Sequence, residues 1–508
     1  MQQRLFKINI VLFGLLGYVQ ASVDDYSYCI VVHDSLANVV QPLADWKNEK
    51  GCSTFVAKIS WIEANYQGRD RAEKIRNFVA HSDSVWQSFE YLLLAGDCGT
   101  IPPRYVTLDW YGEECPTPCD DYYANLATNW DLDNDSIFGE DSSECALGID
   151  EIDFNYSLCV GRLPSDNQEE MENMVEKIIA YEKTPPSGDW IKRMIFCAGY
   201  WQWYDSSDCI DFKEEIYASD FPHPNDFQIT RLYESMQEDF DSFSVSNFLD
   251  AFNQGASIVN VYSHGWKECF LGVIKTDSGW VIGDCIYTTD AKSTTNGYKL
   301  PMILACGCET AWFDYDKKCI GESFMTADSG GCIVYLGSSR YNFIPEFYFY
   351  PHFFGDAERC AGKAFRMAKQ DGLENWGKFN YLTSVMFGDP ELKIHTSAAI
   401  EERPSTGHKT SDIRLKVYPN PATTKTSINF RVQSLGVGRA ITPTLSLRIY
   451  DLAGRMIKNW DLEFGDCDFH EIVWDGKNNE GQLVTSGIYF YRLKTNTCQS
   501  TKKLIFIR

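Results

Sequence analysis

Residues 26–60 read YSYCIVVHDSLANVVQPLADWKNEKGCSTFVAKIS, and the order of textures in them decides the fold. YSYCIVV is a nearly unbroken apolar run, the pattern of a strand covered on both faces. PLADWKNEKG spaces its apolar residues as an amphipathic helix does and stops at Gly51. STFVAKIS is strand-like again. A strand that returns through a helix to another strand makes a parallel pair.

The same alternation continues outward. RDRAEKIRNFVAHS (69–82) carries helical spacing, and EYLLLAGD (90–97) is a buried strand closing on Gly96-Asp97. The region 101–150, rich in Asp, Cys, Pro and Tyr, reads as a long loop. FNYSLCVGRLP (154–164) is a further strand, and NQEEMENMVEKIIAYEKTP (167–185) a helix whose end Pro185-Pro186 marks a boundary. A second run follows: strand WIKRMIFCAGY, helix DFKEEIYAS, strands ASIVNVYSHG and LPMILACGC, helical ESFMTADSG, and strand GCIVYLGSS. Polar EERPSTGHKTSD reads as a linker. Beyond it, short alternating segments are split by Asn-Pro, Ala-Gly, Asp-Gly and Ser-Gly turns, the signature of a small β-sandwich. The expected architecture is α/β: parallel-sheet subdomains over 22–186 and 187–397, a linker over 398–411, and an all-β, Ig-like sandwich over 412–508.

The N-terminus has basic Arg4 and Lys7, an apolar IVLFGLLGYV and a small-residue site ending at Ala21, so residues 1–21 read as a secretory signal peptide. No other stretch approaches a spanning length. An exported chain, soluble or tethered at the surface, is expected. Its 18 cysteines then suggest disulfides, with Cys467 and Cys498 placed to pair in the tail. The net charge of -25 is uneven. From residue 401 onward 16 basic residues face 11 acidic ones, leaving 30 basic against 60 acidic before it. An acidic body argues against nucleic acid and suits bound calcium or a basic substrate, although a solvated acidic surface accounts for it as well.

Two constellations carry chemistry. His264 follows the apolar strand SIVNVY and precedes Gly265, while Cys306 and Cys308 end LPMILACGC in the same unit. Of the eight histidines, His33 follows a strand of the first block, and His395 sits in what reads as the closing strand. Only His264 and the cysteine run end neighbouring-looking strands within one block. Both would reach the C-terminal edge of a sheet, where α/β folds place sites. A thiol paired with an imidazole is a nucleophile with its base, and Gly265 lets backbone come close enough to offer its N–H to an oxyanion. A zinc reading of the two cysteines lacks a second ligand pair. The other constellation is DLDNDSIFGE, in which Asp131, Asp133 and Asp135 alternate, Ile137 offers a carbonyl and Glu140 a last carboxylate. Hard oxygens at this spacing suit one structural Ca²⁺, in a loop shorter than an EF-hand.

Taken as an ordered set, PLADWKNEKG, YLLLAGD with Ile101-Pro102, DLDNDSIFGE, VGRLP, KIIAYEK, DAFNQGASIVNVYSHG, CETAWF and VMFGDPELKI resemble the gingipain-type cysteine peptidases, whose fold is caspase-like. The resemblance implies two caspase-like subdomains and a cysteine endopeptidase. It maps the family's G-H-G histidine on His264, within S-H-G, and its C-x-x-G-x-F nucleophile on Cys308, five residues before Phe313. Cys306 is then a supporting thiol. Ser263 and Ala311 stand where the family has glycine. The backbone N–H groups of Gly265 and Cys308 are the implied oxyanion donors, and Asp205 and Asp208 lie near the region where some members place a carboxylate that orients the histidine. The tail, with VYPNP, IYDLAGRMI and SGIYFYRL, resembles the C-terminal sorting domains of the type IX secretion system, which implies that machinery as a partner and a secreted or cell-surface location. Such enzymes often carry a long propeptide, for which no room is left between Ala21 and YSYCIVV. Protein or peptide substrates are implied; a sortase-like transpeptidase and a non-catalytic adhesion protein of the same fold stay open as rival readings.

Overall fold

A computed structural model describes residues 25–110, 113–139, 150, 152, 156–199, 213–214, 227–234, 242–276, 279–341, 346–355, 359–396, 413–418, 424–432, 445–451, 455–462, 469–494 and 499–506. The expected signal peptide and linker, Glu140, Asp205, Asp208, Cys467 and Cys498 lie outside them. The chain divides into Met1–Ile400 and Glu401–Arg508.

The first unit opens with β1 (Tyr28–Val32), β2 (Thr54–Lys58), β3 (Tyr91–Ala95), β4 (Arg104–Trp110) and β5 (Glu113–Cys119). Next come β6 (Cys159–Leu163), β7 (Arg193–Ala198), β8 (Gln228–Tyr233), β9 (Ile258–Tyr262) and β10 (His264–Trp266). Then follow β11 (Cys269–Thr276), β12 (Gly279–Tyr287), β13 (Met302–Cys306), β14 (Val334–Ser338) and β15 (Ser384–Gly388). Ten of these form one sheet, in the order β2-β1-β3-β6-β15-β14-β13-β9-β7-β8. In this sheet, β15 apart, the pairs within each expected block are parallel: β1 with β2 and β3, β3 with β6, β7 with β8 and β9, and β13 with β9 and β14. β15 lies between the blocks and runs antiparallel to β14.

The reason is in the side chains. β1, β3, β9, β13 and β14 are buried at every position, so each needs cover on both faces. Helices Ala37–Glu49, Arg71–Val85 and Gln168–Lys183 supply part of it. Their starts are chemically marked: Asp70 accepts from Glu73 N–H and Asn167 from Glu170 N–H.

Three expectations change. The region after residue 100 is not all loop, because β4 and β5 pair antiparallel from Arg104–Cys119 to Trp110–Glu113. Pro116 and Pro118 hid β5; proline is admissible there because the hairpin is two-stranded and both of its strands are edges. His395 is not in a strand: its backbone N–H donates to the Tyr181 hydroxyl at 2.9 Å, beyond an isolated bridge at Lys393. Among the described residues, all fourteen cysteines are outside disulfides, most of them buried as small apolar side chains.

Two buried cations hold the first unit together. Lys47, fully buried, meets Asp389, Glu182 at 3.1 Å and Glu391 at 2.7 Å, which ties the first helix to the FGDPEL segment. Burial pulls its ammonium toward neutrality, yet these three carboxylates hold its pKa above the ordinary lysine value. Arg162 in β6, equally buried, forks onto Asp120 at 2.8 and 2.6 Å and donates to the carbonyls of Gly96 and Ile101 at 2.8 and 3.0 Å.

In the second unit, seven described strands form a three-stranded and a four-stranded antiparallel sheet. Ile428 and Trp474 of one and Leu447, Ile449, Tyr491 and Leu504 of the other share a core, as a small sandwich requires.

Replacing Arg162 by Met would leave Asp120 and two carbonyls without their buried donor. The expected loss is about 3–5 kcal/mol, read as a lower denaturant midpoint in the full chain.

Candidate active site

The second parallel block starts at β7, steps out to β8, then returns across β9, β13 and β14. The order therefore reverses between β7 and β9, the kind of position beyond whose strand ends open α/β sheets place their sites. His264 sits two residues past the end of β9. Register makes the next step. Tyr262 of β9 is paired with Cys306 of β13. His264 and Cys308 each lie two residues beyond that pair, so they leave neighbouring strands at the same level. Cys306 is 3 % exposed inside the main core, whereas Cys308 stands past the strand end and is half-buried.

What lets the two loops meet is the absence of two side chains. A Cβ on Gly265 would come within 2.5 Å of the Cys308 carbonyl oxygen and 2.6 Å of the Thr310 methyl. A Cβ on Gly307 would come within 2.9 Å of the Ser263 carbonyl oxygen and 3.2 Å of Gly265 N. The approach is reciprocal, and Gly307 was not singled out by the sequence; its signal is the glycine inside C-G-C.

After Cys308 the chain folds against the extension of β14. Glu309 N–H donates to Arg340 O and Ala311 N–H to Ser338 O, both at 2.9 Å. The left-handed residue of this loop is Glu309, with φ 62°, and not Ala311. Alanine in place of the family's glycine is therefore accommodated. The Glu309 carboxyl is buried, and burial pushes its pKa up against the opposing pull of Lys267, the Tyr341 hydroxyl and Arg340.

Cations fasten the rest. Arg340 forks onto Asp314 at 2.8 and 2.7 Å, donates to Pro116 O at 2.9 Å, and lies 4.0 Å from the Trp312 ring centre. Lys267, three residues after His264, lies 3.7 Å from the same ring. Trp312 thus links the histidine loop to the cysteine loop. Arg162 also touches this loop, 5.0 Å from the Phe313 ring centre. Next to the histidine strand, the Glu234 carboxylate is admitted by two more glycines: a Cβ on Gly199 would meet it at 3.0 Å and one on Gly272 at 2.4 Å. Leu271, beside Gly272, is the register partner of His264.

The acidic loop lies elsewhere in the unit. One carboxylate oxygen from each of Asp131, Asp133 and Asp135 falls within 4.8 Å of the others, a donor set that fits a hard cation. Asp131 is buried, pairs with Arg69 and accepts Ser136 N–H at 3.2 Å. Asp135 accepts from Ile137 N–H at 2.7 Å. Asp150, missed in the sequence, pins the loop by accepting from Leu132 N–H at 2.5 Å and Gly139 N–H at 3.0 Å. A second convergence, Glu182, Asp389 and Glu391, surrounds the Lys47 ammonium instead.

Replacing Gly307 by Ala is expected to push Ser263 and Gly265 away and cost about 1–3 kcal/mol, measured as a lower unfolding midpoint. Ala at Gly99, where the nearest atom lies 3.9 Å from the added Cβ and the backbone has no positive φ, disturbs no such approach and serves as the control.

Comparison with known proteins gives the following. A sequence profile described as peptidase family C25 matches residues 22–395, and one described as a secretion system C-terminal sorting domain matches residues 416–508. Gingipain R2 of Porphyromonas gingivalis is 23% identical over 312 residues, covering 59% of this chain and 34% of that protein. Lys-gingipain HG66 of Porphyromonas gingivalis is 24% identical over 228 residues, covering 43% and 12%. The match thus spans about a third or less of these relatives' length. The crystal structure of the Arg specific cysteine proteinase gingipain R superposes with a TM-score of 0.56 at 18% identity, covering 96% of this chain and 99% of that one. The complex of Porphyromonas gingivalis RgpB pro- and mature domains gives 0.56 at 18%, covering 94% and 99%. At such identities the likeness shows the fold.

Proposed function

The chain belongs to peptidase family C25, and from that membership we propose that it is a secreted cysteine endopeptidase with Cys308 as nucleophile and His264 as acid and base. The observation that carries this reading is the equal offset of the two residues beyond the Tyr262–Cys306 pair, together with the approach of Gly265 to Gly307.

In the first step His264 takes the Cys308 thiol proton, giving a thiolate beside an imidazolium. The thiolate sulfur attacks the scissile carbonyl carbon. The carbonyl electron pair moves to oxygen, where the N–H groups of Gly265 and Cys308 receive the negative charge. Collapse breaks the C–N bond, and the imidazolium gives its proton to the leaving amine. Water, deprotonated by His264, then hydrolyses the thioester and releases the acid. An amine in place of that water would give transpeptidation by the same steps.

Asp131, Asp133 and Asp135, with the Ile137 carbonyl and Glu140, would hold a Ca²⁺ that neutralises the loop's charge and keeps it compact. The tail would engage type IX secretion machinery and carry the chain across the outer membrane to a secreted or cell-surface location.

Hydrolysis of a mixed peptide library by the full chain, with calcium present, tests the assignment. Cys308→Ala is expected to lower turnover at least about 1,000-fold, while Cys306→Ala keeps most of it. Loss confined to Cys306→Ala would overturn the choice of nucleophile; no hydrolysis by any form would overturn the peptidase reading. For the metal, chelation with EGTA should lower the thermal midpoint, and added Ca²⁺ should restore it in the parent chain but not in Asp133→Asn. A midpoint indifferent to chelation would overturn calcium binding.

A further inference from the structure

We propose that Cys269 and Cys285 are an oxidisable pair that closes into a cross-strand disulfide and staples the sheet carrying His264. This modification site stands independently of the peptidase reading.

The pair is set by register. β11 and β12 run antiparallel with Cys269 opposite Tyr287 and Leu271 opposite Cys285. Cys269 and Cys285 are therefore diagonal neighbours on one face, since side chains alternate along a strand. Both are buried, at 3 % and 7 % exposure, and Cys285 is an electrostatic neighbour of the Cys269 thiol. The Cys285 thiol also points 3.7 Å from the Gly283 carbonyl, and Tyr287, 48 % exposed, lies beside the pair on the solvent side. Another two cysteines, Cys159 and Cys360, are also neighbours, but the Cys360 thiol is committed to the Pro390 carbonyl at 3.3 Å.

Closing a disulfide brings the sulfurs to about 2.05 Å, so the strands must shift slightly. The register already slips between Leu271 and Val273, and an irregularity of this kind lets a strand adjust locally. The chemistry balances with a low-molecular-weight disulfide as oxidant. One thiolate attacks it, forming a mixed disulfide and expelling a thiolate; the second thiolate of the pair attacks the mixed disulfide and expels the other half. Two protein S–H bonds are lost, one S–S bond forms, and the oxidant leaves as two thiols.

The staple has a defined place. β11 pairs on its other side with β10, where Leu271 faces His264 and Cys269 faces Trp266. A bridge from Cys269 to Cys285 would fix β11 to β12 directly behind the strand that begins with His264.

The reduced full chain is incubated with oxidised glutathione, remaining thiols are blocked with N-ethylmaleimide, and non-reducing peptide mapping follows. A linked pair of peptides containing Cys269 and Cys285, lighter by two hydrogens and separable by reductant, is expected, with a higher thermal midpoint than the reduced chain. Recovery of both residues as maleimide adducts after denaturation, or a bridge from either to a different cysteine, would overturn the pairing. An intact bridge with an unchanged midpoint would overturn the staple. In Cys285→Ser the oxidant should leave the midpoint unmoved; a shift as large as the parent's would assign the effect to other thiols. The mapping of the parent chain decides even where that variant fails to fold.

Discussion

Arg162 is a charge with no water, and much of the first unit is arranged around that fact. Its guanidinium is satisfied by a carboxylate from the segment after β5 and by two carbonyls from the segment after β3. Asp120 and Gly96 each lie just past the end of a strand, and Gly96 N–H makes a last bond to Leu163 O of β6 at 3.1 Å. A buried guanidinium left short of partners costs several kcal/mol, so these segments are held where Arg162 needs them. Its flat face is covered by Phe313, in the loop that follows Cys308. The electrostatic demand of one residue in the first block thereby reaches the loop that carries the candidate nucleophile in the second.

The same logic is repeated at the loop itself, with a half-buried lysine and a buried arginine. Lys267 and Arg340 lie on Trp312, and Arg340 is neutralised by Asp314. Aromatic rings and carboxylates here fasten irregular backbone that no β-ladder can hold. That is how a sheet with rigid strands presents side chains from loops without surrendering their position.

Much of this was legible in the sequence, for a physical reason. Parallel strands covered on both faces must be apolar throughout, and YCIVV, YLLLA, IVNVY and MILAC announce themselves by that requirement. Caps such as Asp70 and Asn167 act over three residues and are equally local. His264 was nominated by its strand end and Asp131, Asp133 and Asp135 by their alternation; the strand end left Cys306 and Cys308 as alternatives, and only the family resemblance chose Cys308. What escaped was set by distance along the chain. No local pattern says that β15 inserts between two blocks, that Arg69 reaches Asp131 or that Lys267 lies on Trp312. The left-handed backbone at Glu309 escaped because glutamate is an unusual occupant of that region; the hairpin of β4 and β5 escaped because its prolines resemble loop chemistry.

The equal offset of His264 and Cys308 from one registered pair has a consequence for how such a chain can vary. Adding or deleting one residue between Tyr262 and His264, or between Cys306 and Cys308, would make the two offsets unequal and displace one side chain relative to the other. Residues further out, beyond Trp266 and beyond Asp314, do not enter that offset. The short spacers are therefore fixed in length while the longer excursions can be lengthened, shortened or exchanged. Changes in those excursions leave the common offset of His264 and Cys308 as it is.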